Sequence, residues 1–154
     1  MHQSVIVNDA EHGLTLHTSH HYYFRHVEME VFVPKSRVKE VSEAIRFVTS
    51  IFAGIDDSAN DKFSAALKEV GLYDEVMRNK GTYTHHYPFF FRHVFPDDTL
   101  ISMTAGGESY YAIGFFTYLA PNKREGFWEY TRVVALVLTK LYGARLHWGK
   151  YFPL

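Results

Sequence analysis

The stretch His26-Val27-Glu28-Met29-Glu30-Val31-Phe32-Val33-Pro34 alternates in character residue by residue. Val27, Met29, Val31 and Val33 fall on one side of an extended chain; His26, Glu28, Glu30 and Phe32 fall on the other. A period of two in a run rich in β-branched residues predicts a strand with one face on a core. Read outward, the strand begins near His20, takes in the aromatic run Tyr22-Tyr23-Phe24, and stops at Pro34, which has no N–H for a ladder. Residues 1–19 before it are polar and aperiodic and are expected to form a flexible N-terminal arm, leaving 20–154 as one domain.

Past Pro34 the period changes. Val38, Val41, Ala44, Ile45, Val48 and Ile51 recur at steps of three and four, the apolar face of a helix, with Ser36 as its expected cap. A second helix is predicted from about Asp61 to Val70 with Gly71 as its stop, and a short one over Leu72 to Lys80. Thr82 to Phe95 reads as a strand ending at the turn Pro96 to Asp98, Leu100 to Thr104 as a short strand, and Ser109 to Leu119 as another. Lys123 to Tyr142 predicts a long helix ended by Gly143, and Arg145 to Trp148 a last short strand. That order is the ferredoxin-like split βαβ plan of the α+β class, an antiparallel sheet with helices on one face.

Composition narrows the function. A chain of 154 residues with 47% hydrophobic and 21% charged residues suits one globular domain with a core of its own. A net charge of -1 gives no field for nucleic acid, and the basic-aromatic run of RNA-binding sheets is missing. No membrane span is expected, since no stretch approaches about 20 apolar residues. With no Cys and no signal peptide, a cytoplasmic location is expected. Ten histidines invite a metal reading, but adjacent pairs point to opposite strand faces, and no metal site is expected. Glu28 and Glu30 share one strand face and are expected to pair with Arg92 or Lys150.

Aromatics are 17% of the chain and come in clumps, among them Phe89-Phe90-Phe91 and Phe115-Phe116. Alternation puts such clumps on both faces of a sheet, and helices cover only one. A second domain, a second copy of the chain or a ligand is therefore expected over the open face.

The segment Arg145-Leu146-His147-Trp148-Gly149-Lys150 holds a large aromatic, a flexible Gly and titratable groups, just after a buried helix. Taken with Val27-Glu28-Met29-Glu30 ahead of Pro34, and with Phe91-Arg92-His93-Val94 followed by Asp97-Asp98 and Leu100-Ile101-Ser102, it makes an ordered set. This set, over roughly residues 20 to 152, resembles the C-terminal cap domain of the D-arabinono-1,4-lactone, L-gulonolactone and alditol oxidases. These are FAD-linked oxidases of the vanillyl-alcohol-oxidase type. The resemblance implies a cap that closes over a flavin held mainly by another domain, with a small sugar-derived lactone or polyol as substrate. It assigns Arg92 and Lys150 as catalytic, cofactor-facing cations, and Thr117, His147 and Phe90 to the substrate side. Phe90 stands where the family often has Glu, a departure that bears on polyol specificity. The rival reading is a free-standing, non-enzymatic ferredoxin-like module that dimerises through its aromatic face around a small ligand.

No glycine-rich phosphate cradle is present, so the chain is expected to be the cap part of a flavoprotein without its FAD-binding domain. The purified 154-residue chain should accordingly be colourless. A stoichiometric flavin absorbance band in that preparation would contradict the assignment.

Overall fold

A computed structural model describes residues 26–55, 61–118 and 125–154. The chain runs β1 (His26–Pro34), a 3-10 turn (Lys35–Arg37), α1 (Val38–Phe52), α2 (Asp61–Glu69), α3 (Tyr73–Arg78), β2 (Phe90–Val94), β3 (Tyr110–Tyr118), α4 (Phe127–Tyr142) and β4 (Arg145–Leu146). The four strands form one antiparallel sheet in the order β2-β3-β1-β4. This is the α+β plan expected from the sequence. The expected arm and the beginning of the first strand lie outside the described residues. No described helix is long and apolar enough to cross a membrane.

The alternation in β1 decides which side the helices take. Met29, Val31 and Val33 are fully buried against Phe47, Val48 and Ile51 of α1 and Val134 and Leu138 of α4. Each such side chain contributes about 1.5–3 kcal/mol relative to exposure. Ile113 and Phe115 of β3 and Leu146 of β4 join the same face.

Four local expectations need correction. Ser36 does not cap α1: its N–H and hydroxyl both bond the Glu108 carboxylate, at 3.1 Å each, and the helix starts from a 3-10 turn instead. The strand read over Thr82 to Phe95 is ladder only at Phe90–Val94. Pro88 has no N–H to give a ladder, and Tyr83, His85 and Phe89 turn inward onto α4. Leu100 to Thr104 is no strand. There the Asp97 carboxylate accepts the Thr99 N–H at 2.6 Å and Ser102 N–H bonds the Thr99 carbonyl, so turn chemistry prevails over β-propensity. The last strand holds only Arg145 and Leu146.

The face away from the helices is half covered by the chain itself, which the sequence did not suggest. The β2–β3 connection folds back so that Phe32, Tyr110 and Ala112 are buried with Val94 and Met103. Arg145 pins it, donating to the Met103 carbonyl at 3.3 Å and lying 5.4 Å over the Tyr110 ring. Phe90 and Tyr118, on the other half of the same face, stay exposed.

On the helix side, the His85 ring stacks on Phe89 at 4.6 Å and on Tyr130 at 5.4 Å. Burial, reinforced by the neighbouring His86, pushes its pKa down to about 4. The folded chain thus keeps this ring neutral where the unfolded ring, near 6.5, takes up a proton. Its contribution is whole above pH 6.5 and lost progressively down to about 4. Allowing for its partial solvent access, the loss is roughly 2 kcal/mol. Unfolding free energies from urea titrations at pH 7 and 4.5 should differ by most of that amount more in the native chain than in His85→Phe, which keeps the stack without the titration.

Candidate functional site

Two carboxylates stand side by side on the open face of β1, one of the two central strands. Residues two apart on a strand are about 6.5 Å apart along it, so Glu28 and Glu30 form a single anionic patch. Glu30 is buried, with 3% of its side chain exposed. Burying a carboxylate is tolerated only with cationic partners. The fold brings one from each edge of the sheet.

Arg92 comes from β2, two strands away across β3. Its Nη1 donates to Glu30 Oε1 at 3.0 Å, and Nη2 lies 3.7 Å from Glu28 Oε1. An extended arginine crosses that gap only where the strand between lacks bulk. In the ladder, Arg92 faces Ala112, and Gly114 sits between Phe90 and Glu30. A Cβ on Gly114 would lie 2.6 Å from the Phe116 ring and 3.2 Å from Glu28 Oε1. Ala112 and Gly114 therefore make a trough between Tyr110 and Phe116, and the guanidinium lies across it.

Lys150 comes from the opposite edge through a turn that explains the His-Trp-Gly-Lys run. His147 N–H bonds the Glu30 carbonyl at 2.9 Å, and Tyr151 N–H bonds the Glu28 carbonyl at 3.0 Å. Carbonyls two residues apart on β1 thus hold residues four apart on the last segment, and the excess is looped out as Trp148-Gly149-Lys150. His147 ties the loop: its carbonyl accepts the Lys150 N–H at 3.1 Å and its Nδ1 accepts the Gly149 N–H at 3.0 Å. A Cβ on Gly149 would press on that imidazole at 3.0 Å. The loop returns Lys150 over the sheet, where Nζ pairs with Glu28 Oε2 and lies 3.1 Å from Glu30 Oε2.

The result is a neutral quartet in which each cation meets both carboxylates. Glu28 Oε1 is its loose corner, buried with no hydrogen bond. Arg92 remains 54% exposed and Lys150 22%, so both offer N–H groups to the open side. Phe90, half exposed, shares the face and packs edge-on to Phe116 at 5.2 Å.

Arg92, Lys150, His147 and Phe90 are thus placed on one face or its rim. Thr117 is not. It pairs with Val27 on the helix side, is fully buried and hydrogen-bonds with Tyr83, so the expectation of a substrate contact there is corrected by strand parity. Gly114 and Ala112 were missed, although a Gly inside a strand signals a close approach.

Residues 2–154 match the profile of the family described as ALO: D-arabinono-1,4-lactone oxidase. A long-chain alcohol oxidase from an uncultured marine euryarchaeote is 36% identical over 135 residues, covering 87% of this chain and 28% of that protein. The chain therefore spans little more than a quarter of its relative's length. No solved structure matches significantly.

If Glu30 is the hub, Glu30→Gln should cost roughly 2 kcal/mol, because it leaves two cations short of their shared, buried partner. Glu28→Gln, at the loose corner, should cost about 1 kcal/mol or less. Urea unfolding of the two variants gives the order, and the reverse order would refute the hub assignment.

Proposed function

The chain belongs to the D-arabinono-1,4-lactone oxidase family, and from that premise we propose that its open sheet face is the substrate side of a flavin site oxidising a hydroxyl of a sugar lactone or related alcohol. FAD, held mainly by the remainder of such an enzyme, supplies the hydride acceptor when bound. The observation that carries this reading is the convergence of Arg92 and Lys150, from opposite edges of the sheet, on one carboxylate pair.

Arg92 and Lys150 hold an oxygen that gains negative charge, either the substrate oxygen losing its proton or the edge of the reduced ring. A preorganised cation does this without reorganising solvent. Glu28 and Glu30 keep both cations in position before any ligand arrives. His147, by tying the loop, fixes the height of the ammonium above the sheet. Phe90 and Tyr118 present apolar surface to whatever covers the face, which fits a ring better than it fits water. The name of the euryarchaeal relative, a long-chain alcohol oxidase, supports alcohol oxidation as the common chemistry.

The test is steady-state oxidation by the flavin-loaded oxidase that carries this chain. Arg92→Ala and Lys150→Met should each lower kcat/KM by about 10²–10³-fold with the fold retained by circular dichroism. Half-maximal or better activity in the double variant would sink the proposal.

A further inference from the structure

A groove of about 340 Å³ lies on the open face on the other side of Arg92 from Phe90. That is the low end of the range for small-ligand sites. Its floor is Phe32 and Ala112, both buried, and Val94 and Met103 add apolar walls. Its polar lining is Glu30, Arg92, Asp97, Ser102, Thr104 and His147. The Asp97-Asp98 and Leu100-Ile101-Ser102 motif is accounted for neither by packing of the core nor by the ion quartet. Two of its residues, Asp97 and Ser102, line this groove.

The rim is rigid by construction. Asp97 Oδ1 accepts the Thr99 N–H at 2.6 Å, and that bond, with contributions from Thr99 and Ser102 side chains, holds the carboxyl below its usual pKa. Ser102 Oγ accepts the Thr104 N–H at 3.0 Å and lies 3.0 Å from Thr104 Oγ1. Arg145 holds the base of the connection through the Met103 and Ala105 carbonyls.

Counting donors gives the ligand chemistry. Two hydroxyls sharing one hydrogen bond use one hydrogen between them, and the other goes from Ser102 to the Asp97 carboxylate, so the pair meets a ligand through its oxygen lone pairs. His147 accepts at Nδ1, so its neutral ring carries hydrogen on Nε2. Arg92 adds guanidinium N–H groups. Arg92 and His147 thus donate over an apolar floor, and the Ser102–Thr104 oxygens and the Asp97 and Glu30 carboxylates accept.

Resting on the oxidase reading above, we propose that this groove is the specificity subsite for the non-reacting end of the substrate. It takes a small ring or short chain bearing several oxygens. The C–H face rests on Phe32 and Ala112, and the oxygens meet Arg92, His147 and the Ser102–Thr104 pair. Phe90 then removes a polar contact on one side of Arg92, while the groove supplies them on the other.

The experiment uses the flavin-loaded oxidase that carries this chain, with a five-carbon 1,4-lactone of a sugar acid and 1-pentanol as paired substrates. Ser102→Ala with Thr104→Val should raise KM for the lactone about tenfold to a hundredfold, with kcat within about twofold. Oxidation of 1-pentanol should be unchanged in kcat/KM. Titration of the flavin absorbance should raise the lactone Kd by the same factor, a readout independent of turnover. Val94→Phe, which fills the groove from β2 and leaves the loop hydroxyls alone, should give the same selective loss. An unchanged lactone KM and Kd, or equal losses for both substrates, overturns the subsite. Wild-type enzyme that oxidises neither compound overturns the oxidase reading as well, which separates the two failures.

Discussion

Two carboxylates on one face of a central strand create a demand that much of this molecule is arranged to meet. A buried Glu30 without cations would be an uncompensated charge held out of water. Cations from the two edges remove that cost, but each imposes a further condition. Arg92 needs a strand between without bulk, which Ala112 and Gly114 provide. Lys150 needs a chain that leaves the sheet edge and returns, which the turn tied by His147 provides. A helix-packed sheet would stand without any of these devices. They serve the open face.

The two faces of the sheet therefore answer to different physics. Toward the helices, Val31 and Ile113 and their neighbours are selected for volume and fit. On the other side the same strands carry charges, a glycine trough and half-exposed aromatics. Where the β2–β3 connection folds over this side, Phe32 and Tyr110 gain a small core of their own. The boundary between covered and uncovered halves runs along Arg92, which touches both the quartet and the groove.

Much of this could be read from the sequence because periodicity is a strong signal. The β1 alternation gave the correct faces for Val31 and Glu30, and parity alone then placed Phe90 and Arg92 together. Parity also explains the failure at Thr117. In Phe115-Phe116-Thr117-Tyr118 both faces carry aromatics, so nothing in the residue types says which of them face the helices. Thr82 to Phe89 misled for a related reason: its aromatics have high β-propensity, but Pro88 and packing onto Tyr130 override it. The fold of residues 97 to 105 depends on side-chain-to-backbone bonds of Asp97 and Ser102, which periodicity does not record.

One step of the design concerns why the cations are paired at all. Bare Arg and Lys side chains on a flat face would attract an oxygen more strongly in isolation, but on the reading proposed here that face works when covered. Covering removes water, and an unpaired ammonium or guanidinium then carries a desolvation cost of several kcal/mol. With Glu28 and Glu30 beneath them, the cations are already neutralised as a group, and covering the face adds little to that cost. A ligand oxygen acquiring charge meets N–H groups held in place, and the imbalance appears only as the charge develops. Selectivity of that kind, weak toward the resting ligand and strong toward the charged one, is what distinguishes a catalytic cation from a mere anion trap.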